Sequence, residues 1–155
     1  MITGNNIEAY IKRDGVYVTG TQGISMLPFI RQGHSRVIIV PVKERLKKYD
    51  VALFHRKTGE YVLHRVVKVR KNDYVFCGDN QKTWEYGITD ELIVGVMSEL
   101  YDDGVKINTD SEKYKQVVKK LVKRSASTCR MLRLKHFLLE FTVIRHVWEF
   151  MKKKR

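Results

Sequence analysis

The sequence contains little cysteine and no long apolar run. Its two cysteines, Cys77 and Cys129, are 52 residues apart and form no Cys-x-x-Cys or Cys/His pattern, which predicts neither a disulfide framework nor a metal site and favours a reducing compartment. No apolar stretch reaches the roughly 18 residues that a membrane-spanning helix needs, and the first 15 residues lack the apolar core of a secretion signal. We therefore expect a cytoplasmic chain without a spanning helix, metal or cofactor.

Positive charge is concentrated in the carboxyl-terminal part of the chain. The formal net charge is +13, of which residues 112 to 155 carry +11 and the first 111 residues only +2. Apolar residues make up 43% of the chain, which is enough for one buried core. The sequence predicts a nearly neutral domain, residues 1 to 108, and a basic extension, residues 109 to 155, suited to phosphate, acidic lipid or an acidic protein.

Short β-branched segments follow one another through the first 107 residues, with turn-forming residues between them and no helix-length pattern after residue 16. Such a succession predicts antiparallel strands. The predicted strands cover residues 16–19, 37–42, 51–54, 61–69, 74–77, 92–96 and 105–107. We expect a mainly β domain, rolled or barrel-like.

The pattern becomes helical after residue 108. Thr109 and Glu112 have the spacing of a capping box, and Tyr114, Val118 and Val122 share one helix face. The Ser- and Thr-rich residues 125 to 128 weaken or break this helix. A second, more apolar helical segment covers residues 130 to 151.

Two interpretations of that second segment stay open. Its apolar stripe either packs against the β domain or lies in an anionic membrane interface, with the bordering basic residues near the lipid headgroups. The second interpretation makes residues 130 to 155 a membrane contact.

Two residues are suited to acyl-transfer chemistry. Ser25 follows a glycine turn and precedes Pro28, a setting that can expose a hydroxyl and free N–H groups for an oxyanion, although turns also recruit serine for backbone hydrogen bonds. His64 interrupts an apolar strand. It is either a general base or a core histidine bonded to a carbonyl group.

Two carboxylates follow the strand that ends at Cys77. Asp79 lies in a Gly-Asp-Asn turn, and Glu85 comes six residues later. Either could accept the second N–H of an imidazole and fix its tautomer. The alternative is an ordinary β-turn without chemistry.

Five segments in this order resemble the sequence boxes of type I signal peptidases and the related LexA-like repressor autopeptidases. They are Gly23–Pro28, Tyr49–Phe54, His64–Val67, Gly78–Asn80 and Ile93–Val96. The resemblance covers about residues 16 to 107. It implies a partly open antiparallel β-barrel and a serine endopeptidase that cleaves a leader or signal-like segment after small residues.

The same resemblance assigns roles to individual residues. Ser25 would be the nucleophile, and His64 would be the base, as in the histidine-type signal peptidases of the endoplasmic reticulum and of archaea. In that type the third member is an aspartate in or after the Gly-Asp-Asn box, which makes Asp79 the first choice and Glu85 the second. Arg65 is expected to form a structural ion pair.

Some features depart from both families. Gly23 stands where some bacterial signal peptidases lend a hydroxyl to the oxyanion, so the donor expected here is the backbone N–H of Ser25. Only 24 polar residues precede Ser25, without a membrane helix, a DNA-binding domain or a cleavable Ala-Gly or Cys-Gly bond. We expect a short form without an N-terminal anchor, cytoplasmic or peripheral at the inner face of the membrane.

The expected partner is a peptide or protein substrate. No nucleic-acid-binding motif is present, so no specific nucleic acid is expected. The alternative function is a catalytically silent peptide- or nucleic-acid-binding module on the same fold.

Overall fold

The computed structural model describes the backbone of residues 7 to 152 and the side chains of residues 7 to 132. The chain begins with a short helix, continues through eight strands and ends in a long helix. The elements are α1 (Ile7–Asp14), β1 (Tyr17–Thr19), β2 (Ser35–Val40), β3 (Val51–His55), β4 (Tyr61–Val69), β5 (Tyr74–Cys77), β6 (Glu85–Ile88), β7 (Ile93–Asp102), β8 (Val105–Ile107) and α2 (Glu112–Lys152).

All eight strands belong to one antiparallel sheet. Their order is β1-β2-β7-β3-β4-β5-β6, and β8 pairs with β7. This confirms the mainly β, antiparallel class. The sheet does not close into a barrel: β1 and β6, the strands at its two ends, have three and four residues and do not pair with each other in the described part of the chain.

The central strands place side chains into two different clusters because successive residues of a strand point to opposite faces. Val51 and Leu53 of β3 join one cluster with Met26. Their neighbours Ala52 and Phe54 join another, which contains further buried residues of β4, β5 and β6. The sheet is therefore covered on both faces near its middle, where the candidate site residues lie.

Helix α2 packs against the sheet with its first half. Val118 and Val122 are buried against Val67 of β4 and against Val75 and Cys77 of β5. Farther along the helix, the indole N–H of Trp84 donates to Ser125 at 3.3 Å. The predicted division at residue 108 falls between β8 and α2, and whether the two parts are separate domains stays a prediction.

The start and continuity of α2 differ from the prediction. The cap is Ser111 rather than Thr109, because the Ser111 hydroxyl accepts the N–H of Tyr114. The helix also continues through residues 125 to 128, where hydroxyl groups bond to the carbonyls of the preceding turn, Ser127 to Lys123 and Thr128 to Arg124.

Residues 130 to 151 form part of this same helix. The predicted apolar stripe between residues 134 and 151 lies outside the described side chains. No helix in the described part of the chain is both long and apolar enough to cross a membrane.

Candidate active site

Ser25 lies in a turn whose flanks are fixed by burial and hydrogen bonds. Met26 and Ile30 are buried in the core, and the N–H of Ile30 donates to the carbonyl of Met26. Before the serine, Gly23 has a φ of 85°, a conformation that favours glycine, and its N–H donates to the side chain of Gln32 at 2.7 Å. The turn is therefore anchored on both sides of Ser25.

The Ser25 side chain borders a small cleft of about 170 Å³. Leu53, Tyr61 and Leu63 of the sheet line this cleft, together with residues 19 to 23. Neither the hydroxyl nor the N–H of Ser25 is hydrogen-bonded to another residue among those described. Both groups are thus available to a ligand in the cleft.

A buried hydroxyl in the same cleft also lacks a partner. Thr21 Oγ1 is shielded from solvent and makes no hydrogen bond within the described residues, although Thr21 borders the cleft. A buried polar atom normally finds a partner. The Thr21 hydroxyl is therefore an unsatisfied polar group in the wall of the cleft, where solvent does not reach it.

The Gly-Asp-Asn turn holds the Ser25 turn in place. The N–H of Asn80 donates to the Ser25 carbonyl at 2.8 Å, and the Asn80 side-chain amide donates to the Ile24 carbonyl at 3.2 Å. A Cβ atom on Gly78 would lie 2.6 Å from the Ser25 carbonyl oxygen, closer than real Cβ contacts. Glycine is therefore required at position 78 for this approach.

Asp79 belongs to a buried ion pair with Arg65. The guanidinium donates to both carboxylate oxygens at 2.7 Å, and each of the two side chains is only 2% exposed. Arg65 also donates to the carbonyl of Tyr49 and to the hydroxyl of Tyr114. Burial opposes the charge of Arg65, but the hydrogen bond and charge of Asp79 outweigh it and raise its pKa. The expected structural ion pair of Arg65 is confirmed.

The carboxylate that contacts His64 is Glu85 rather than Asp79. His64 is 2% exposed, and its Nδ1 lies 2.9 Å from Oε1 of Glu85. The expectation that Asp79 orients the histidine is wrong, because Arg65 occupies both oxygens of Asp79. The register of the sheet explains why Glu85 contacts His64 in place of Asp79. Glu85 pairs with Phe76, and this pairing brings the Glu85 side chain to the face of the sheet that His64 shares with Phe54.

Arg56 fixes Glu85 from the other side. Its Nε and Nη2 atoms donate to the two Glu85 oxygens at 2.7 and 2.8 Å. Burial alone would raise the pKa of Glu85, but the hydrogen bonds from His64 and Arg56 lower it to about 2. An ionised carboxylate only accepts hydrogen bonds, so the Nδ1 atom of His64 carries the proton and Nε2 is left as the basic nitrogen.

Arg56 was missed in the sequence because it follows the predicted strand and matches no motif. One signal was present: Arg56 lies two residues after Phe54, and hence on the face to which the side chain of His64 points.

No hydrogen bond joins Ser25 to His64 in the part of the chain that the structure describes. Leu63 borders the Ser25 cleft, whereas strand alternation directs the next residue, His64, to the opposite face of β4. Formation of a Ser25–His64 pair stays a prediction.

The other nucleophile near the site is unreactive. Cys77 is buried, its thiol lies 3.3 Å from the carbonyl oxygen of Gly78, and burial raises its pKa to about 12. A thiol in this state holds its proton at neutral pH. No group of three or more His, Cys, Asp or Glu residues within the described chain could hold a metal ion.

Comparison with known protein families, with curated proteins and with solved structures finds no match for this chain.

Proposed function

We propose that this protein is a serine endopeptidase of the signal peptidase-like superfamily, with Ser25 as nucleophile, His64 as general base and Glu85 as the carboxylate that orients the base. The observation that carries the proposal is the hydrogen-bonded series Arg56–Glu85–His64. A serine turn held by Gly78 and Asn80 supplies the candidate nucleophile. Under this proposal, the open sheet corresponds to the partly open barrel of that superfamily.

The cleft supports an extended peptide as the substrate. Strand β5 pairs with β4 only from Arg65 onward, so the edge of β4 at residues 61 to 64 is not covered by β5. A peptide can add to this edge as a further strand, next to the cleft that residues 19 to 23 also line. A cleft of about 170 Å³ favours small side chains before the cut.

The reaction follows from the available atoms. Nε2 of His64 accepts the Ser25 proton while Ser25 Oγ attacks the peptide carbonyl, and the Ser25 N–H stabilises the oxyanion. The C–N bond then breaks and the leaving amine takes the proton from His64. Water, deprotonated by the same nitrogen, hydrolyses the acyl-serine ester and regenerates the enzyme. Peptide binding must bring Ser25 and His64 together, since catalytic hydrogen bonds often tighten only in the substrate complex.

A peptide library read by mass spectrometry tests this function. Wild-type protein should cut a subset of peptides after small residues, and Ser25→Ala and His64→Gln should abolish the cuts. Ser127→Ala is the matched control, because Ser127 is exposed on α2 and its hydroxyl bonds only to the Lys123 carbonyl. Cuts at the same positions by the Ser25→Ala protein would contradict the proposal.

The second candidate is a catalytically silent peptide-binding module with the same cleft. It is favoured by the missing hydrogen bond between Ser25 and His64. In that case, wild type and Ser25→Ala bind the same library peptides with equal affinity and neither cuts them.

A further inference from the structure

A second concave surface lies beside α2, away from the Ser25 cleft. It has a volume of about 530 Å³ and runs along the seam where Val122 of the helix contacts Val67 of the sheet. Five basic side chains line it, and we call it the cationic cleft. They are Lys48, Lys68, Lys119, Lys123 and Arg130.

The positive charge of the cationic cleft is not neutralised by any of the described side chains, residues 7 to 132. No Asp or Glu lines it, and none of its five cations forms an ion pair within the described residues. The Lys48 ammonium lies 5.0 Å from the ring centre of Tyr49, an uncharged neighbour. Unneutralised positive side chains around a concave surface create a positive potential that attracts a polyanion.

The surface at one end of the cationic cleft is apolar and aromatic. Beyond Arg130, Met131 is 64% exposed and Leu132 is 38% exposed. Leu132 shares a shallow depression with Trp84, Tyr86 and the basic residue Lys82. Exposed aliphatic side chains beside Trp, Tyr and lysine are typical of surfaces that enter the headgroup region of a bilayer. A nucleic acid would give the aliphatic side chains no apolar partner.

We propose that the cationic cleft and this apolar rim dock the protein on an anionic phospholipid bilayer. Lipid phosphates occupy the cleft, and Met131 and Leu132 enter the region between headgroups and acyl chains. Helix α2 continues from this rim to Lys152, and the sequence after Leu132 contains further basic and apolar residues. The docking surface is independent of the proposed peptidase site, because it shares no residue with the Ser25 cleft.

Vesicle sedimentation of the full-length chain tests the proposal. Phosphatidylcholine vesicles with and without phosphatidylglycerol are compared for wild type and for a triple variant, Lys68→Glu, Lys119→Glu and Lys123→Glu. The matched control has the same change in net charge at exposed lysines elsewhere, Lys12→Glu, Lys43→Glu and Lys57→Glu. Thermal unfolding of each variant confirms that it is folded.

Wild type should bind the anionic vesicles and not the neutral ones. The cleft variant should bind at least about 100-fold more weakly, because each lysine near an anionic surface strengthens binding roughly five-fold. The control variant should lose much less. Equal losses in the two variants would show an effect of net charge alone and overturn the proposal, as would no vesicle binding by wild type.

Two further arms test the apolar rim and distinguish lipid from nucleic acid. Leu132→Ser should weaken vesicle binding several-fold, whereas Val105→Ser, at an even more exposed apolar residue of β8, should not. The same proteins are titrated with single-stranded and duplex RNA. Tighter binding of RNA than of anionic vesicles, lost in the cleft variant, would assign the cleft to nucleic acid and overturn the lipid proposal.

Discussion

The Nδ1 atom of His64 lies 2.9 Å from a carboxylate oxygen of Glu85, and this contact joins two strands that are not neighbours in the sheet. Strand β5 lies between β4 and β6, so the histidine and the glutamate meet across the face of β5 beside Phe76. The contact depends on the register between β5 and β6 and on Arg56, which holds the second oxygen of Glu85.

Glu85→Gln should remove most of the proposed peptidase activity. An amide no longer fixes the Nδ1–H tautomer of His64 or stabilises the imidazolium, and in Ser-His-carboxylate enzymes such a change costs on the order of 10⁴ in turnover. The measurement is kcat on a peptide identified from the library. Glu44→Gln, at an exposed loop residue, is the matched control and should be fully active. Unchanged kcat in Glu85→Gln would show that the activity does not depend on a carboxylate that orients His64.

Asp79→Asn should lower the stability of the folded protein. Removing one charge of the buried Arg65–Asp79 pair leaves an uncompensated guanidinium, which costs about 3–5 kcal/mol in the free energy of unfolding. Urea denaturation measures this loss. The exposed residue Asp14, which pairs with Arg13 at the surface, is the control, and Asp14→Asn should leave the urea midpoint close to that of wild type because solvent screens the surface pair.

A double variant separates a broken ion pair from a general packing defect at this position. Arg65→Met combined with Asp79→Leu removes both buried charges and should recover much of the stability that Asp79→Asn loses. Equal destabilisation in the single and double variants would assign the loss to packing instead of to the unpaired charge.

Stability should fall in acid through the protonation of Glu85. Its pKa is lowered from 4.5 to about 2 in the folded protein, so the native state binds fewer protons than the unfolded state between these values. The contribution of Glu85 is therefore fully present above about pH 4.5 and is lost as the pH falls toward 2, by roughly 3 kcal/mol at most.

Urea denaturation at a series of pH values measures this dependence. Glu85→Gln should flatten the curve between pH 4.5 and 2, whereas the curve of Glu44→Gln should follow wild type. An unchanged slope in Glu85→Gln would show that other carboxylates account for the acid sensitivity.

Gly78→Ala should disturb the Ser25 turn although alanine adds a single methyl group. The new Cβ atom would lie 2.6 Å from the Ser25 carbonyl oxygen, a backbone atom that cannot move without shifting the turn. We expect a loss of about 1–3 kcal/mol in unfolding free energy and a loss of peptide cleavage. Gly20→Ala is the control for stability, because its Cβ would meet the flexible side chain of Arg36. Wild-type stability in Gly78→Ala would contradict the close approach.

Much of the fold was determined by local sequence patterns. β4 has the predicted bounds, residues 61 to 69, and β5 has the predicted bounds 74 to 77, because their β-branched and aromatic residues suit a pleated, partly buried surface and turn-forming residues bound both segments. The local order of Gly78, Asp79 and Asn80 also indicated a turn after β5. Arg65 was identified as an ion-pair residue from its place in the family-like box.

The tertiary structure decided which carboxylate meets His64. Strand β6 was not predicted, since Glu85–Ile88 contains Gly87 in a left-handed conformation, with a φ of 77°, and has only one β-branched residue. The segment is extended because its backbone groups pair with the N–H and C=O groups at the edge of β5. Backbone groups need such partners when they are buried, and no local sequence pattern shows which segment will provide them. The resulting register places Glu85 opposite Phe76 and next to His64. Asp79 instead pairs with the buried guanidinium of Arg65, because a charge that is removed from solvent needs an opposite charge in contact with it.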